Sequence, residues 1–151
     1  MTIVSFTFDK MSAERTGKIT EKVDINHNFN ISNLEKTDVI ILQGKKPAIK
    51  ISFDFNVIYE PNIGYIKMSG NIVYLDKEEE ISKLFDQWKK SKILPVGVTS
   101  MVANTVLTKA NIKALMLSQE VNLPPQIQLP KVVPAELQES KDNKDKGDYI
   151  G

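Results

Sequence analysis

Few side chains in this sequence are of the types that carry out chemistry. The chain contains one histidine, His27, and no cysteine. Thiolate metal sites, zinc sites with two or three histidine ligands, and serine–histidine or cysteine–histidine pairs are therefore excluded. His27 could still act as a pH switch or a single ligand, because imidazole changes charge near neutral pH. No partner cluster accompanies it, so we expect a partly buried, hydrogen-bonded histidine on the face of a sheet.

The carboxylates offer another route to catalysis, as paired acids and bases. Asp54 is expected on the polar face of a strand, Glu60 in a turn and Asp76 at the start of a helix. The run Glu78–Glu80 lacks the spacing with which several oxygens converge on calcium or magnesium, and it suits the positive end of a helix. The sequence contains no nucleotide-binding loop or nucleophile-elbow motif. We therefore predict no catalytic residue, no metal site, no cofactor and no enzymatic activity.

The overall charge argues against nucleic acid as the main partner. Lys and Arg number 20 against 19 Asp and Glu, and the longest basic clusters are the pairs Lys45-Lys46 and Lys89-Lys90. Proteins that bind phosphate backbones usually carry a larger basic patch. The segment Met1–Met11 does not resemble a signal peptide, and no stretch approaches the roughly 20 apolar residues of a membrane span. These features predict a soluble, cytoplasmic protein with no membrane partner.

Four segments alternate apolar and polar residues, as expected for strands of an antiparallel sheet with one covered face. They are Val4–Phe8, Val23–Ile31, Ile49–Tyr59 and Ile66–Tyr74. The turn residues of Glu60–Gly64 predict a hairpin between the last two strands. Gly70 falls on the apolar face, where it leaves room for a packed neighbour or a bulge. The strand aromatics share faces with Val and Ile, so we expect them in the core and not in a base-stacking platform.

After the strands the apolar period becomes helical. Ile81, Leu84, Phe85 and Trp88 form one stripe of a helix, with Asp76 as its expected N-cap and Pro95 as its end. A second helix is predicted from Thr99 to about Asn122. Its apolar residues occupy more than one side, so we expect it to contact both its own sheet and a further partner. A break at Thr108–Asn111 would divide it in two.

The segment Leu123–Val132, the proline strap, contains three prolines and cannot be helical. Its apolar alternation favours a strap that lies on its own sheet or on a second chain, over a ligand for a groove-type binding module. The following residues, 134–151, are charged and poor in apolar side chains, which predicts a disordered tail. The chain is thus expected to be a single α+β domain, 1–133, with a charged tail.

This order of elements resembles the SecB-like export chaperones, with the likeness carried by the meander, the helices and then the stretch Leu123–Pro130. The Ile3–Arg15 segment and Ser100–Val102 add to it, whereas Gln119–Asn122 lacks the family's Arg-Gly-like turn. The resemblance implies an α+β fold with an antiparallel meander of about four strands and two to three helices. It also implies an oligomer, assembled through sheet edges or helices, with apolar grooves for non-native chains.

Two functional hypotheses follow. The first is a non-catalytic, SecB-like chaperone or peptide-binding homo-oligomer whose partner is protein. The second is an accessory protein docked on a large assembly such as the ribosome, where the proline strap and tail become ordered on the partner. Under the first hypothesis we predict that the following residues line an apolar binding surface: Met101, Val106, Leu115, Met116, Leu123 and Ile127.

Overall fold

The computed structural model describes residues 2–20 and 22–134. Four strands precede two helices: β1 (Thr2–Arg15), β2 (Asp24–Ile41), β3 (Gly44–Glu60), β4 (Gly64–Leu75), α1 (Glu78–Ser91) and α2 (Val96–Glu120). The predicted α+β class, with one antiparallel sheet followed by helices, is confirmed. The predicted charged tail, apart from Pro134, lies outside the described residues.

The four strands form one antiparallel sheet in the order β1-β4-β3-β2. Strands β2, β3 and β4 follow one another as a meander, whereas β1 pairs with β4 and not with its neighbour in sequence. The connection between β1 and β2 therefore passes the β3–β4 turn, where the Thr16 amide donates to the Ile63 carbonyl at 2.9 Å. Three hairpin-linked strands with a fourth returned beside them give a Greek-key arrangement.

One face of the sheet, the inner face, carries the core. All six inward side chains of β3 from Ile49 to Tyr59 are buried, as their unbroken alternation predicts. On β4 the matching inward positions are also buried: Ile66, Met68, Gly70, Ile72 and Tyr74. The opposite, outer face is polar. Central strands buried on one face and flanked on both sides are the most protected part of such a sheet.

Two strands are longer than the alternation indicates. β1 continues through the polar residues Ser12–Arg15 because β4 supplies a hydrogen-bonding partner along that whole length. β2 continues to Ile41 and returns through Leu42 and Gln43 into β3, where Gly44 has a φ of 107°. Pairing with a neighbouring strand thus overrides weak local patterns.

The helices differ from the sequence expectation at their ends. α1 stops at Ser91, and Lys92 takes the left-handed conformation that commonly terminates helices, so Pro95 precedes α2 and does not end α1. The predicted break at Thr108–Asn111 is absent, and α2 is continuous from Val96 to Glu120. The Thr108 hydroxyl donates to the Asn104 carbonyl at 2.8 Å, so this polar side chain is satisfied within the helix. Among residues 2–20 and 22–134, neither helix alone is long and apolar enough to cross a bilayer, although the bent pair together meets that length and composition.

The two helices are bent by 91° relative to each other. α1 packs on β3 and β2, and α2 packs on β4 and β3. The position of α1 along β2 is marked by Lys36, whose ammonium lies 4.9 Å from the centre of the Phe85 ring, and by Leu34, which is buried. The opposite half of β2 therefore extends beyond the part of the strand that α1 covers.

Gly70 lies between two aromatic side chains on the inner face. It is paired with Phe8 on β1 and Phe53 on β3, whose rings pack edge to face with centroids 6.1 Å apart. β1 also carries a bulge between Phe8 and Lys10, opposite this glycine. Both features expected at Gly70, a packed neighbour and a bulge, are present.

The start of the proline strap packs against its own chain. Leu123 and Gln126 are buried, the Tyr59 hydroxyl donates to the Pro124 carbonyl at 2.7 Å, and the Gln126 amide donates to the Asn111 carbonyl at 2.7 Å. From Ile127 onward the apolar side chains of the strap are exposed or half-exposed. The strap is thus anchored in cis over its first four residues only.

We predict that Gly70→Ala destabilises the fold. A Cβ at this position would overlap the Thr7 carbonyl oxygen and lie 2.9 Å from Cζ of Phe53, so β1 or the ring must shift. Overpacking of this kind costs about 1–3 kcal/mol. Urea denaturation of the purified variant measures the loss in free energy of unfolding.

Gly97 provides the matched control. It lies in the first turn of α2, nothing stands within 4 Å of an added Cβ, and its φ is unexceptional. Gly97→Ala should therefore raise the free energy of unfolding by about 0.4–1 kcal/mol. Equal effects of the two substitutions would contradict the role assigned to Gly70.

We predict that Tyr59→Phe releases the proline strap. The substitution keeps the buried ring and removes the hydroxyl that binds the Pro124 carbonyl, at a cost of about 0.5–1.5 kcal/mol. Hydrogen exchange should quicken for the amides of Gln126 and Ile127 and stay unchanged in the centre of β3. Faster exchange throughout β3 would show that the hydroxyl supports the sheet itself.

The same tyrosine should make stability fall at alkaline pH. Burial raises the pKa of Tyr59 to about 12, from about 10 in an unfolded chain, so the folded state holds the phenolic proton more tightly. This contribution is complete below about pH 10 and is lost as the pH rises through about 12. In Tyr59→Phe, the fall in unfolding free energy over this range should be shallower by up to about 1.4 kcal/mol per pH unit. An unchanged slope would contradict this assignment.

Candidate functional site

Two of the six residues predicted to line an apolar surface belong to the core. Val106 is fully buried and Leu123 is 5% exposed. Val106 lies on the side of α2 that faces the sheet, with Val102 and Ala110 one turn away on either side. Leu123 follows the end of α2, and its Cδ2 would lie 3.0 Å from a Cβ on Gly64. Both side chains stabilise the subunit and are not available to a partner.

The other four predicted residues lie closer to the solvent. Met101 is half-buried and packs on the edge of the core, and Leu115 is half-buried. Met116 is 56% exposed, and Ile127, on the strap, is 41% exposed. Ile112, which is 60% exposed, lies one turn before Met116 and was not among the predicted surface residues.

The exposed apolar side chains of α2 follow a regular spacing. Counting 3.6 residues per turn places them on one side of the helix, opposite the buried stripe. This α2 outer face consists of Met101, Thr105, Thr108, Ile112, Leu115 and Met116. The first five are separated by four, three, four and three residues, the spacing with which one helix packs along another. The hydroxyl of Thr105 donates to the Met101 carbonyl at 2.9 Å, so within this face the hydroxyl is already satisfied.

A second apolar surface lies on β2. The inward positions of its first half are Ile25, His27, Phe29 and Ile31, here called the β2 edge strip. Ile25, Phe29 and Ile31 are half-buried against the core, and His27 is exposed. Their partners on β3, from Phe53 to Tyr59, are fully covered. Coverage of the inner face therefore falls sharply from β3 to the neighbouring edge strand.

The backbone amides and carbonyls of β2 that point away from β3 have no neighbouring strand among the described residues. Among the described residues, β2 pairs only with β3 and β1 only with β4. β2 runs in regular register from Asp24 to Ile31 before its single bulge, whereas β1 is interrupted twice, between Ile3 and Ser5 and between Phe8 and Lys10. Edge strands with free amides and carbonyls are templates for an added strand, and bulges hinder that addition. The β2 edge is therefore the better template.

His27 differs from the sequence expectation. Its position on the apolar face of a strand is as expected, and its ring centre lies 6.4 Å from that of Phe55. It is exposed, however, and not partly buried. The reason is again the placement of α1, which covers β2 near Leu34 and Lys36 but not near His27.

The candidate carboxylates do not converge on a reaction centre. Asp54 lies on the outer face, and the Asp76 carboxylate accepts from the Lys77 amide at 2.7 Å and from the Tyr74 hydroxyl at 3.0 Å. Burial acts to raise the pKa of Asp76, but these hydrogen bonds together with nearby positive charge, that of Lys77 included, hold the pKa below its usual value. Within residues 2–20 and 22–134, no three His, Cys, Asp or Glu side chains are grouped to hold a metal ion.

The outer face contains a shallow, polar cavity of about 520 Å³. Its floor is formed by cross-strand rows, of which Asn30, Asp54, Ser69 and Lys10 make one. A carboxylate and lysines lie side by side there, so the cavity has no single charge with which to select an ion. The α2 outer face and the β2 edge strip are therefore the better candidates for contact with a partner.

The alternating four- and three-residue spacing of the α2 outer face is present in the sequence. That spacing places Ile112 on the same face as the predicted binding residues Met101 and Leu115. The β2 edge strip carries no comparable signal. Ile25, Phe29 and Ile31 alternate just as the fully buried residues of β3 do. Their partial exposure depends on which strands the helices cover, and that is a tertiary property.

No family model matches the chain, and no curated protein matches its sequence. Among solved structures, the chain is similar to the SecB-like chaperone of Mycobacterium tuberculosis, determined in complex with a ChAD peptide from the HigA1 antitoxin. The TM-score is 0.51 at 9% sequence identity, and the match covers 87% of this chain and 89% of the chaperone chain. At that identity the likeness shows the fold alone: a four-stranded antiparallel sheet followed by two helices, in a SecB-like arrangement.

Proposed function

We propose that this protein is a non-catalytic, chaperone-type module that holds extended apolar segments of other proteins on the β2 edge strip. One observation carries the proposal: half-exposed Ile25, Phe29 and Ile31 lie directly beside an unpaired, regular strand edge. The likeness in fold to a chaperone that was solved with a bound peptide supports a protein partner.

The strip and the free edge would act together on an extended segment. Main-chain hydrogen bonds to β2 do not depend on the side chains of the client, so many sequences can pair with it. Every second client residue would then lie on the inner face, side by side with the residues of the apolar strip. Burial of apolar surface at about 25 cal/mol per Å² would select segments with alternating apolar residues, which folded proteins keep inside. The combination suits non-native clients of varied sequence.

The α2 outer face serves a different role in this proposal, as the contact between two copies of the chain. Its alternating four- and three-residue spacing suits pairing with another helix, and Met101, Leu115 and Met116 of the predicted binding residues lie on it. A two-fold symmetric pair would bury this face on both copies. Ile112 and Met116 are the side chains that such a contact would remove most completely from water.

We predict that His27→Glu weakens client binding by about tenfold or more, because it places a charge among apolar contacts that become buried. His27 is already exposed, so the fold should tolerate the change. The measurement is fluorescence anisotropy with labelled, reduced and carboxymethylated α-lactalbumin, which stays unfolded.

Asn28→Glu is the matched control for this experiment. It adds a negative charge at the next residue of the same strand, but on the outer face. Its affinity for the client should stay near that of the unmodified protein. Equal loss in the two variants would indicate a general charge effect, and no loss in either would remove the β2 edge strip as the client site.

We predict that Ile112→Glu separates the copies. A charge at the centre of the α2 outer face would have to be buried in the contact, which disfavours association. Light scattering coupled to size-exclusion chromatography should show a lower mass for this variant and an unchanged mass for Ser100→Glu, an exposed position of α2 away from that face. A monomeric unmodified protein would refute the contact.

A further inference from the structure

The β2–β3 hairpin extends beyond the rest of the sheet. β4 ends at Leu75, which pairs with Ala48 on β3. β1 begins at Thr2, which pairs with Leu75 on the other side. The segment from Asp38 to Pro47 is therefore a two-stranded ribbon with no flanking strand. Its turn, Leu42 and Gln43, is the part farthest from the sheet.

This ribbon ends in consecutive aliphatic residues, Val39, Ile40, Ile41 and Leu42, here called the hairpin tip. Ile40 is 78% exposed and Leu42 is fully exposed, at 108% of the reference area. Because side chains alternate along a strand, Val39 and Ile41 lie on one face of the ribbon and Ile40 on the other. Val39 and Ile41 are half-buried. Ile40 and Leu42 stay largely uncovered by the described part of the chain, and large aliphatic side chains are costly to leave in water.

Two lysines lie across the ribbon from the first two residues of the tip, two and three positions back from Leu42. Lys45 pairs across the strands with Ile40, and Lys46 pairs with Val39. Both are exposed, and the single carboxylate of the ribbon, Asp38, lies farther back, opposite Pro47. The end of the ribbon thus combines an apolar turn at Leu42 with two positively charged side chains, Lys45 and Lys46, close to it.

We propose that the hairpin tip inserts into the interfacial layer of an anionic lipid bilayer. A flat protein surface, such as a second copy of this chain, would cover the face that carries Ile40 and leave the partly exposed Val39 and Ile41 of the other face in water. An apolar medium that surrounds the tip covers both faces and the turn at once. Lysines set back by two or three residues, at about 3.3 Å per residue, lie at the depth of lipid headgroups.

The proposal is independent of client binding, which uses the opposite half of β2. It also involves no membrane span. A membrane span needs roughly 20 apolar residues, whereas insertion of a tip into the interfacial layer needs only a few, so the lack of a long apolar stretch does not bear on it. A single tip gives weak attachment, which assembly of several copies would strengthen.

The test is flotation of the full chain with vesicles of phosphatidylcholine alone and of phosphatidylcholine mixed with phosphatidylglycerol. The protein should float with the anionic vesicles, and added salt should reduce the bound fraction. Leu42→Asp should lower the partition coefficient by about tenfold or more. Val96→Asp, the same change at an aliphatic residue that is 82% exposed elsewhere on the surface, should leave the partition coefficient unchanged.

Two further measurements separate the parts of the proposal. The double variant Lys45→Glu and Lys46→Glu should lose the preference for anionic vesicles. Leu42→Trp should show a blue-shifted emission when those vesicles are added, against the constant signal of buried Trp88 in the unmodified protein. If Leu42→Asp still binds the client, the effect of the substitution is confined to the hairpin tip.

Three results would overturn the proposal. One is a failure of the unmodified protein to float with anionic vesicles. Another is an equal loss of flotation in Leu42→Asp and Val96→Asp. The third is a lower solution mass of Leu42→Asp together with unchanged flotation, which would make the tip a contact between copies of the chain.

Discussion

The structure depends on covering one strand. β3 presents six large apolar side chains to the inner face, each of them buried, and it is flanked by β4 and β2 along nearly its whole length. Two helices supply the cover, but they meet at close to a right angle. They therefore protect the centre of the sheet and the part of β2 around Leu34, while the inward residues of the first half of β2 stay partly or fully exposed. The exposure of the β2 edge strip follows from this arrangement, because two crossed helices do not cover the inner face of all four strands.

The second helix shows how one element serves a core and a surface together. Its buried stripe narrows to Ala110, Ala114 and Ser118 toward the C-terminus, and these small side chains let the helix lie close to the sheet. The opposite side is less covered: Met101 and Leu115 there are half-buried, and Ile112 and Met116 are exposed. Apolar residues on that side, such as Ile112 and Met116, cannot reach the sheet by any rotation of the helix that keeps the small residues inward. Their exposure is a geometric consequence of the packing.

Much of the fold could be predicted from local pattern. The alternation of β3, the turn before β4, the room at Gly70 and the change to a helical period all report local geometry, and all are present. The partner of β1 could not be predicted, because alternation shows which face is buried but not which strand lies alongside. The same limit explains the site: Val106 and Leu123 are as apolar as Met116, and only the position of α2 on the sheet separates core from surface.

The two edges of the sheet are unlike each other, and this bears on whether strands of further copies can be added at both edges. β1 is broken by bulges, and its longest regular stretch, Lys10–Arg15, carries three charged residues, Lys10, Glu14 and Arg15. A sheet with two equally receptive edges can add copies head to tail without limit and grow into a fibre. With one receptive edge, strand addition stops after a single step. The irregularity of β1 therefore hinders continued strand addition between copies of the chain.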